Sequence, residues 1–583
     1  MPEADGPDTA ATANDGRSSP QTPTKAHAAP RSAFAGPASA SSPLSAAGGQ
    51  GRRRHAAWLR VAIAAVAGVA HALSFAPANL PWLELAALGV AFWLALGASG
   101  PRAALHVGLA FGFGWFGIGI SWIYISLHHY GGLWAGLAAA ATAALALLLA
   151  VFPALALTVA GALGGPASNR RALAMVAAWT LAEWSRGVVL GGFPWLSTGY
   201  AHTDSPLAGF APIVGVYGVG AAAALVVAMP IWAWVRTPRT MPMLLLAGIA
   251  SLVLLGLGAA LREHSWSQAH GAPIRVRLVQ GNIAQDIKFA EGGLDQAIAR
   301  YLPALQTDTA RRDTDPYAGR PDLIVLPESA FPVAINDLTQ EVLDTLADAR
   351  RRDGAALIFG AFIVEPGERY FNSAIGLGTE TIEPQRYSKR HLVPFGEFIP
   401  FGFRWFVDLM RIPIGDQQRG DDFQPPMSLA GQQIAVNICF EDLFGGQILD
   451  AWHDAQRTPT MLLNLSNLAW FDDSIALPQH LQISRMRAME TARPLLRATN
   501  TGITAIIDAR GRVAAQLPIQ AQGVLDGVVQ ATQGTTPFIR AGNRPILIAS
   551  ALALLACFLL RKRHDARTAG PGEHSLADPA PLP

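Results

Sequence analysis

Long apolar runs, separated by short polar breaks, fill the chain from residue 56 to residue 262. Most of them reach the roughly 20 residues that a helix needs to cross a hydrocarbon core about 30 Å thick. An eighth run, 545–560, lies near the C-terminus. The pattern therefore predicts about eight membrane-spanning helices. The first seven runs occupy residues 56–75, 81–99, 103–127, 131–163, 172–190, 207–235 and 241–261.

The fourth run, 131–163, is too long for one untilted span, and Pro153 interrupts it. Proline removes a helical hydrogen bond and bends or ends a helix. Two interpretations are open for this run. It is either one kinked helix or a helix followed by a re-entrant segment.

Positive residues mark every second connection between the apolar runs, and the intervening loops contain no Lys or Arg. Cytoplasmic loops carry the excess of Lys and Arg in membrane proteins. The alternation therefore predicts cytoplasmic N- and C-termini and places the large water-soluble part on the opposite side of the membrane. The marking residues are Arg52, Arg53, Arg54, Arg102, Arg170, Arg171, Arg236, Arg239, Arg561, Lys562 and Arg563.

The water-soluble part, 272–535, alternates short apolar runs with helical patterns, which is typical of an α/β fold with a buried sheet. Strands are expected at 274–279, 323–326, 356–363, 434–438, 461–465 and 503–507, and helices near 291–312, 339–352 and 475–491. The predicted organisation is a disordered cytoplasmic tail (1–55), a seven-span membrane domain (56–262), the α/β domain (272–535), a last transmembrane helix (545–561) and a cytoplasmic tail (562–583).

Composition agrees with this division and excludes several classes of function. Only 11 of the 86 charged residues lie between residues 56 and 262. The net charge of +2 is too small for a nucleic-acid-binding field. The two cysteines, Cys439 and Cys557, give neither a disulfide framework nor a zinc-binding spacing. No cofactor or metal site is therefore predicted, and Cys439 is the only thiol of the soluble part.

Three residues of the soluble part are candidates for a catalytic role. Cys439 follows an apolar strand and precedes Gly445 and Gly446, as an exposed nucleophile would, although a buried structural thiol is the commoner case. Glu328 follows another apolar strand, where burial would suit it to accept a proton, or where it could cap a helix. Lys389 is one of only four lysines among 44 cationic residues, which suggests that a compact ammonium is needed there.

Together these residues resemble the nitrilase superfamily, whose triad is Glu, Lys and Cys in that chain order. Several blocks are similar to one of its membrane-bound families, apolipoprotein N-acyltransferase, and the resemblance covers about residues 56–561. The blocks are 280–283 (Gln-Gly-Asn-Ile), 327–329 (Pro-Glu-Ser), 391–400 (His-Leu-Val-Pro-Phe-Gly-Glu-Phe-Ile-Pro), 439–441 (Cys-Phe-Glu), 469–471 (Ala-Trp-Phe), 492–502 (Ala-Arg-Pro-Leu-Leu-Arg-Ala-Thr-Asn-Thr-Gly), 121–124 (Ser-Trp-Ile-Tyr) and 192–195 (Gly-Phe-Pro-Trp), with Gly199 and Tyr200.

The resemblance implies a multi-pass α-helical membrane domain joined to an α-β-β-α sandwich of the nitrilase type. It implies transfer of an acyl chain from a phospholipid, through a cysteine thioester, to the N-terminal amine of a diacylglyceryl-cysteine lipoprotein at the bacterial inner membrane. By motif, Glu328 would be the general base, Lys389 the charge stabiliser and Cys439 the nucleophile. Glu397 and Glu441 would be the supporting acidic residues.

Two positions depart from the family pattern. The family commonly has Ser-Asn-Asp-Ala-Trp-Phe, whereas this chain has Leu468 in place of the Asp. This chain therefore lacks the carboxylate that could hold the loop of this block in place. Phe289 stands where the family often has Trp, which keeps an apolar wall but loses the indole donor.

Two other functions fit the sequence less well than the transferase. A membrane-tethered amidase or nitrile hydrolase would use the same triad with water as acceptor, but one span would suffice to anchor it. A transporter or receptor with a binding domain of this fold would not need Glu328, Lys389 and Cys439 together. The apolar block 398–406, with Phe398 and Trp405, further suggests that an acyl chain enters sideways from the bilayer.

Four polar or sulfur-containing residues outside the triad are expected to be structural. Glu183 and Arg186 lie three positions apart in an apolar run, which favours an ion pair facing the helix bundle. His480 precedes a helical pattern and is expected to be structural. Cys557 lies in the last apolar run and is expected to face lipid or a neighbouring helix.

The arginine pattern makes a testable prediction about topology. Reporter fusions at Gly292 and at the C-terminus should give opposite signals, because an odd number of spans separates the α/β domain from either end of the chain. Alkaline phosphatase and a fluorescent protein that folds only in the cytoplasm provide the two readouts. Matching signals at the two sites would contradict the eight-span topology.

Overall fold

The computed structural model describes residues 43–236, 238, 240–306, 320–379, 383–399, 402, 404 and 417–568. The chain divides into two units, Met1–His55 and Ala56–Pro583. Most of the two predicted tails, 1–42 and 569–583, lies outside the described residues, as does Trp405. Within the described part, the membrane half and the α/β domain belong to the same unit.

Helices of more than eight residues follow the apolar runs and the helical patterns, except that the first helix already begins at Pro43, inside the tail (1–55) that is expected to be disordered. They are α1 Pro43–Leu73, α2 Pro81–Leu96, α3 Pro101–Gly119, α4 Ala135–Leu163, α5 Asn169–Arg186, α6 Ala211–Val235, α7 Met241–Glu263, α8 Gly293–Tyr301, α9 Gln340–Asp353, α10 Ala476–Thr491 and α11 Arg544–Thr568. The fourth run is one helix, α4, with Pro153 inside it. In the helix expected near 291–312, α8 ends at Tyr301 and a 3₁₀ turn follows at Pro303–Leu305, and residues 307–312 lie outside the described residues.

Five helices of the described chain are long and apolar enough to cross a membrane, and a bent pair raises the number to six. The bent pair consists of α3 and Ile123–Tyr130, which turn by 59° relative to each other. The run 103–127, expected as one span, is therefore broken after Gly119. Two further predicted spans form helices outside this count: α2 has 16 residues, and α5 contains four charged residues.

Fourteen strands form in the described part of the α/β domain. They are β1 Gln268–Ala269, β2 Ile274–Gln280, β3 Leu323–Val325, β4 Ala356–Glu365, β5 Arg369–Leu377, β6 Gln385–Ser388, β7 Met427–Leu429, β8 Gln432–Ile438, β9 Met461–Ser466, β10 Leu495–Thr499, β11 Ala505–Ile507, β12 Val513–Gln516, β13 Gly523–Val529 and β14 Thr532–Gln533. All six predicted strands are present, and the other eight, among them β5, β10 and β13, were not predicted.

Two six-stranded sheets have the same plan. Their strand orders are β13-β2-β3-β4-β5-β6 and β12-β11-β10-β9-β8-β7. Each sheet is parallel at its centre, through β2-β3-β4 and β8-β9-β10, and antiparallel toward both edges. Parallel strands need both faces covered. The buried centre explains why five of these six central strands have apolar sequences that made them predictable, whereas β10 was not predicted.

The two sheets pack face to face with helices outside them, which confirms the α-β-β-α sandwich. Side chains from both sheets form the shared inner core, for example Leu278 and Val325 with Ile438 and Leu463. Helices α8 and α9 cover the outer face of the first sheet. Helix α10 covers the outer face of the second sheet, through Leu481 and Ala488.

Helix α10 also contacts the membrane half, so it lies between the second sheet and the apolar helices. The Gln479 side chain accepts hydrogen bonds from the indole N–H groups of Trp122 (3.3 Å) and Trp195 (2.7 Å). Gln482 accepts from the backbone N–H of Ala76 and donates to the side chain of Asn79. The α/β domain is therefore seated directly on the membrane helices.

Candidate active site

Cys439 lies at the point where β8 ends and a 3₁₀ helix, Cys439–Leu443, begins. Its φ angle is +53°, in the left-handed region that a residue with a side chain rarely occupies. Backbone strain of this kind is typical of nucleophiles at strand-to-helix turns. The residue is partly exposed and packs against the inner core at the end of β8.

Glu328 follows β3 of the opposite sheet and is almost fully buried. Its Oε1 accepts hydrogen bonds from the Asn372 side-chain amide (2.8 Å) and from the Lys389 ammonium (3.3 Å). Its Oε2 accepts from the backbone N–H of Asn467 (2.7 Å). Three donors from three different segments therefore hold the carboxylate in one orientation.

Lys389 follows β6 and is buried between two carboxylates. Its Nζ lies 2.7 Å from Glu397 Oε1 and 3.3 Å from Glu328 Oε1. Burial alone would lower the pKa of Lys389, but the charges of Glu328 and Glu397 outweigh burial and raise that pKa above its ordinary value. The side chain is therefore a permanent ammonium.

The environment of Cys439 favours its thiol over its thiolate. Burial and the neighbouring Glu328 carboxylate raise the pKa of Cys439, while Lys389 and a hydrogen bond from the Asn467 backbone lower it in part. The balance leaves the pKa above the ordinary thiol value, so the sulfur needs a proton acceptor before it can attack. A buried carboxylate beside it can accept that proton.

The two supporting carboxylates occupy different places. Glu397 contacts Lys389 directly and also accepts from the backbone N–H of Val393 (2.9 Å). Glu441 instead binds the backbone N–H groups of Arg390 (2.7 Å) and Ile438 (2.7 Å). The structure therefore brings Glu328, Lys389, Glu397 and Cys439 together. Glu441 ties the segment after Lys389 to the end of the strand that precedes Cys439.

Sequence reasoning missed three buried polar residues of the site. Asn372 donates to Glu328 and lies within 3.5 Å of Glu397, and Asn467 supplies a backbone donor to Glu328. Lys288 is fully buried and donates to the backbone oxygen of Glu328 (3.2 Å). Burial lowers the pKa of Lys288 to about 7, although the Glu328 charge partly opposes this shift. The scarcity of lysine was a signal that applied to Lys288 as well as to Lys389.

A buried arginine and a buried histidine form a hydrogen-bond chain to the backbone oxygen of Cys439. Arg497 Nη2 lies 2.7 Å from His480 Nδ1, and His480 Nε2 lies 3.2 Å from the Cys439 backbone oxygen. Arginine can only donate, so Nδ1 accepts and the neutral imidazole carries its proton on Nε2. The side-chain amide of Asn464 donates to the same oxygen (3.3 Å). His480 is thus structural, as expected, but it acts on the nucleophile's own backbone.

The remaining predicted residues lie outside this cluster. Glu183 and Arg186 form a buried ion pair (3.5 Å), and Cys557 is buried against the backbone of Arg170, which confirms both expectations. Phe289 is 52% exposed and lies 6.3 Å from the ring of Phe362. Among the residues that the structure describes, no group of three His, Cys, Asp or Glu side chains could hold a metal ion.

The Arg497–His480 arrangement makes a prediction about thiol reactivity. His480→Phe should slow alkylation of Cys439 by iodoacetamide on the order of tenfold, because the strained backbone loses a donor and the sulfur moves from its productive position. His480→Gln, which can both accept and donate, should retain much of the rate. Both variants are measured in a Cys557→Ala background so that only Cys439 reacts. A normal rate in His480→Phe would contradict this role.

The chain matches two family models and many known proteins over most of its length. Residues 67–229 match the apolipoprotein N-acyltransferase N-terminal domain, and residues 275–537 match the carbon-nitrogen hydrolase domain. An apolipoprotein N-acyltransferase of Ralstonia nicotianae is 47% identical, over 86% of this chain and 94% of the relative. That of Nitrosomonas europaea is 40% identical, over 86% and 97%.

Similarity to solved structures is lower. The C. elegans NitFhit protein matches 52% of this chain and 65% of its own, with 15% identity and a TM-score of 0.35. The relatives above supply the assignment, since each is aligned across both the membrane half and the α/β domain. With 47% identity to one of its members over nearly the full length of both proteins, this chain belongs to the apolipoprotein N-acyltransferase family.

Proposed function

We propose that this acyltransferase takes its acyl chain from a phospholipid and holds it as a thioester on Cys439 before passing it to a lipoprotein. One observation carries the assignment of residues: Glu328 and Glu397 enclose the Lys389 ammonium beside a cysteine held at φ +53°. That arrangement supports a nucleophile, a proton acceptor and a fixed positive charge in one buried site.

In the first half-reaction, Glu328 takes the thiol proton and the Cys439 sulfur attacks the ester carbonyl of the phospholipid. A carbon–sulfur bond forms and the carbon–oxygen bond to the glycerol breaks. The proton on Glu328 passes to the leaving glycerol oxygen, so a lysophospholipid departs and the acyl chain remains as a thioester. The Lys389 ammonium stabilises the negative charge that develops during attack.

In the second half-reaction, the N-terminal amine of a diacylglyceryl-cysteine lipoprotein attacks the thioester. A carbon–nitrogen bond forms and the carbon–sulfur bond breaks. Glu328 accepts a proton from the amine and returns it to the departing sulfur, which restores the thiol. The same base therefore serves both halves of a ping-pong cycle.

Several contacts support the proposal that Cys439 faces the bilayer. The 3₁₀ helix that begins at Cys439 packs on the loop 192–195 of the membrane half. The rings of Phe440 and Phe193 are 6.3 Å apart. The Tyr200 hydroxyl donates to the Leu443 backbone oxygen (3.3 Å). His391 Nε2 lies 2.8 Å from the Gly191 oxygen. The nucleophile is thus next to the membrane helices, where a phospholipid is available without leaving the bilayer.

The chain is a membrane protein of the lipoprotein-maturation pathway, and the arginine pattern supports a finer assignment. We place it in the bacterial inner membrane, with the α/β domain periplasmic and both ends cytoplasmic. The proposed domain limits are those of the sequence: tails at 1–55 and 562–583, membrane segments at 56–262 and 545–561, and the catalytic domain at 272–535. Helix α11 continues to Thr568, past the proposed end of the last membrane segment.

The division of labour among Cys439, Lys389 and Cys557 can be tested directly. Intact-mass measurement after incubation with phospholipid should show one acyl adduct in the parent protein and none in Cys439→Ala, because the thioester needs that sulfur. Lys389→Arg should also fail, since a planar guanidinium does not fit the place of a compact ammonium between two carboxylates. Cys557→Ala is the control and should load normally. An adduct on Cys439→Ala would overturn the proposed nucleophile.

Entry of the donor from the bilayer makes a second prediction. Extracting an acyl chain into water costs about 0.8 kcal/mol per methylene, hence on the order of 10 kcal/mol for a whole chain. Phe398→Asp should therefore slow loading from phospholipid much more than transfer from an already loaded enzyme. The matched control is Val528→Asp, at an exposed position on the edge strand β13. Equal losses in both steps would contradict lateral entry.

A further inference from the structure

The orientation of Glu328 depends on a loop whose far end touches the membrane half. Its Oε2 is held by the backbone N–H of Asn467, the first residue after β9. The same backbone N–H also partly lowers the pKa of the Cys439 thiol. A backbone donor has no rotamers of its own, so its direction is set only by the conformation of the segment 467–472. Whatever holds this segment therefore helps to position both groups.

The two ends of segment 467–472 are held by different parts of the protein. At the first end, the Asn467 side chain donates to Gln285 (2.9 Å) and accepts from Asn500 (2.9 Å), both within the α/β domain. Between the ends, Leu468 is buried and lies under Gly502. Its apolar side chain forms no hydrogen bond that would hold the segment. The far end of the segment is held by other groups.

At the far end, Asp472 is held by the bent segment that follows α3. The Tyr130 hydroxyl donates to Asp472 Oδ1, and His129 Nδ1 lies 3.0 Å from Asp472 Oδ2. The Ser126 hydroxyl donates to the Trp470 backbone oxygen (2.8 Å). These three donors come from one π-helical turn, Ser126–Tyr130, of the membrane half.

Aromatic packing accompanies the polar contacts. The ring of Trp122 lies 4.5 Å from that of Phe471, and the ring of Tyr130 lies 5.8 Å from that of Trp470. Asp472 itself has φ +45° and ψ −152°, a conformation that side chains rarely adopt and that persists only when contacts enforce it. The segment is thus held in a strained shape by groups that belong to another part of the fold.

We propose that Tyr130 and Asp472 form a latch through which the membrane half positions Glu328. Tyr130 and Asp472 are positioning residues for the acyl transfer, acting through the Asn467 backbone, and this role rests on the proposed function of Glu328 as the base. The His129 contact adds little, because both partners are about half exposed and such ion pairs contribute weakly.

The test is a double-mutant cycle of Tyr130→Phe and Asp472→Gly in the full-length protein. Glycine adopts the backbone of residue 472 without strain, so the change removes the carboxylate and adds no clash. Each single variant should lower kcat for loading from phospholipid on the order of tenfold with little change in KM, because the base is misplaced and donor binding is not. The double variant should be no slower than the slower single variant.

The control is Asp473→Gly, which adds the same backbone freedom one residue later at an exposed position. It should retain parental kcat. Alkylation of Cys439 by iodoacetamide in a Cys557→Ala background supplies a readout that does not depend on lipid. It should slow in Tyr130→Phe and Asp472→Gly by a factor similar to that in kcat.

Parental kcat and alkylation rates in both single variants, or losses that multiply in the double variant, would overturn the latch. A fall in thermal stability with unchanged alkylation would mean that the contact only anchors the domain, which would also overturn it. The variant Glu328→Gln distinguishes a failure of the proposed base from a failure of the latch. Normal alkylation and transfer in Glu328→Gln would refute the proposed base itself, whereas loss there with parental latch variants would refute only the latch.

Discussion

Helix α10 is the element on which the placement of the active site against the membrane depends. It is buried on nearly every side, and its polar side chains are shared between two neighbours. Gln479 and Gln482 pair with groups of the membrane half, while His480 and Ser484 face the segment that carries Cys439. Buried polar groups must be paired, so the partners on both sides define one seating of the domain.

One contact of α10 shows how far the two halves complete each other. Helix α6 is broken at Gly215, whose φ of +66° leaves the N–H of Val216 without its helical partner. Glu490 Oε1 of α10 accepts from that N–H at 2.7 Å and also pairs with Arg487 at 2.9 Å. A carboxylate of the α/β domain therefore caps a helix of the membrane half, a position where negative charge is favoured.

The apolar pattern was sufficient to predict most of the fold, because continuous burial leaves a continuous apolar sequence. The eight predicted spans form helices, and the six predicted strands are present, but the central strand β10 was not predicted. The break after Gly119 was not predictable in the same way. Residues 120–130 are apolar and aromatic enough to continue a span, but after the 59° turn they contact Trp470, Phe471 and Asp472. Such partners are 340 residues away in sequence, so no local pattern records them.

The active site was also predictable only in part. Motifs were sufficient to single out Glu328, Lys389, Glu397 and Cys439, which the structure brings together. Asn372 was missed because it lies within strand β5, where an Asn has no local signature of pairing with a distant carboxylate. His480 was interpreted correctly as structural, but only its contact with Arg497 reveals which nitrogen carries the proton and hence how it holds the Cys439 backbone.

A buried lysine beyond the triad adds positive charge close to Glu328. Glu328 and Glu397 bring two negative charges into a region of low dielectric, and Lys389 compensates only one of them. Lys288, buried against the Glu328 backbone, supplies a second positive charge whenever it holds its proton. The four groups then sum to zero while the Cys439 thiol is neutral. Moving the thiol proton to Glu328 relocates one negative charge to sulfur and leaves the sum at zero, so burial does not penalise that step through net charge.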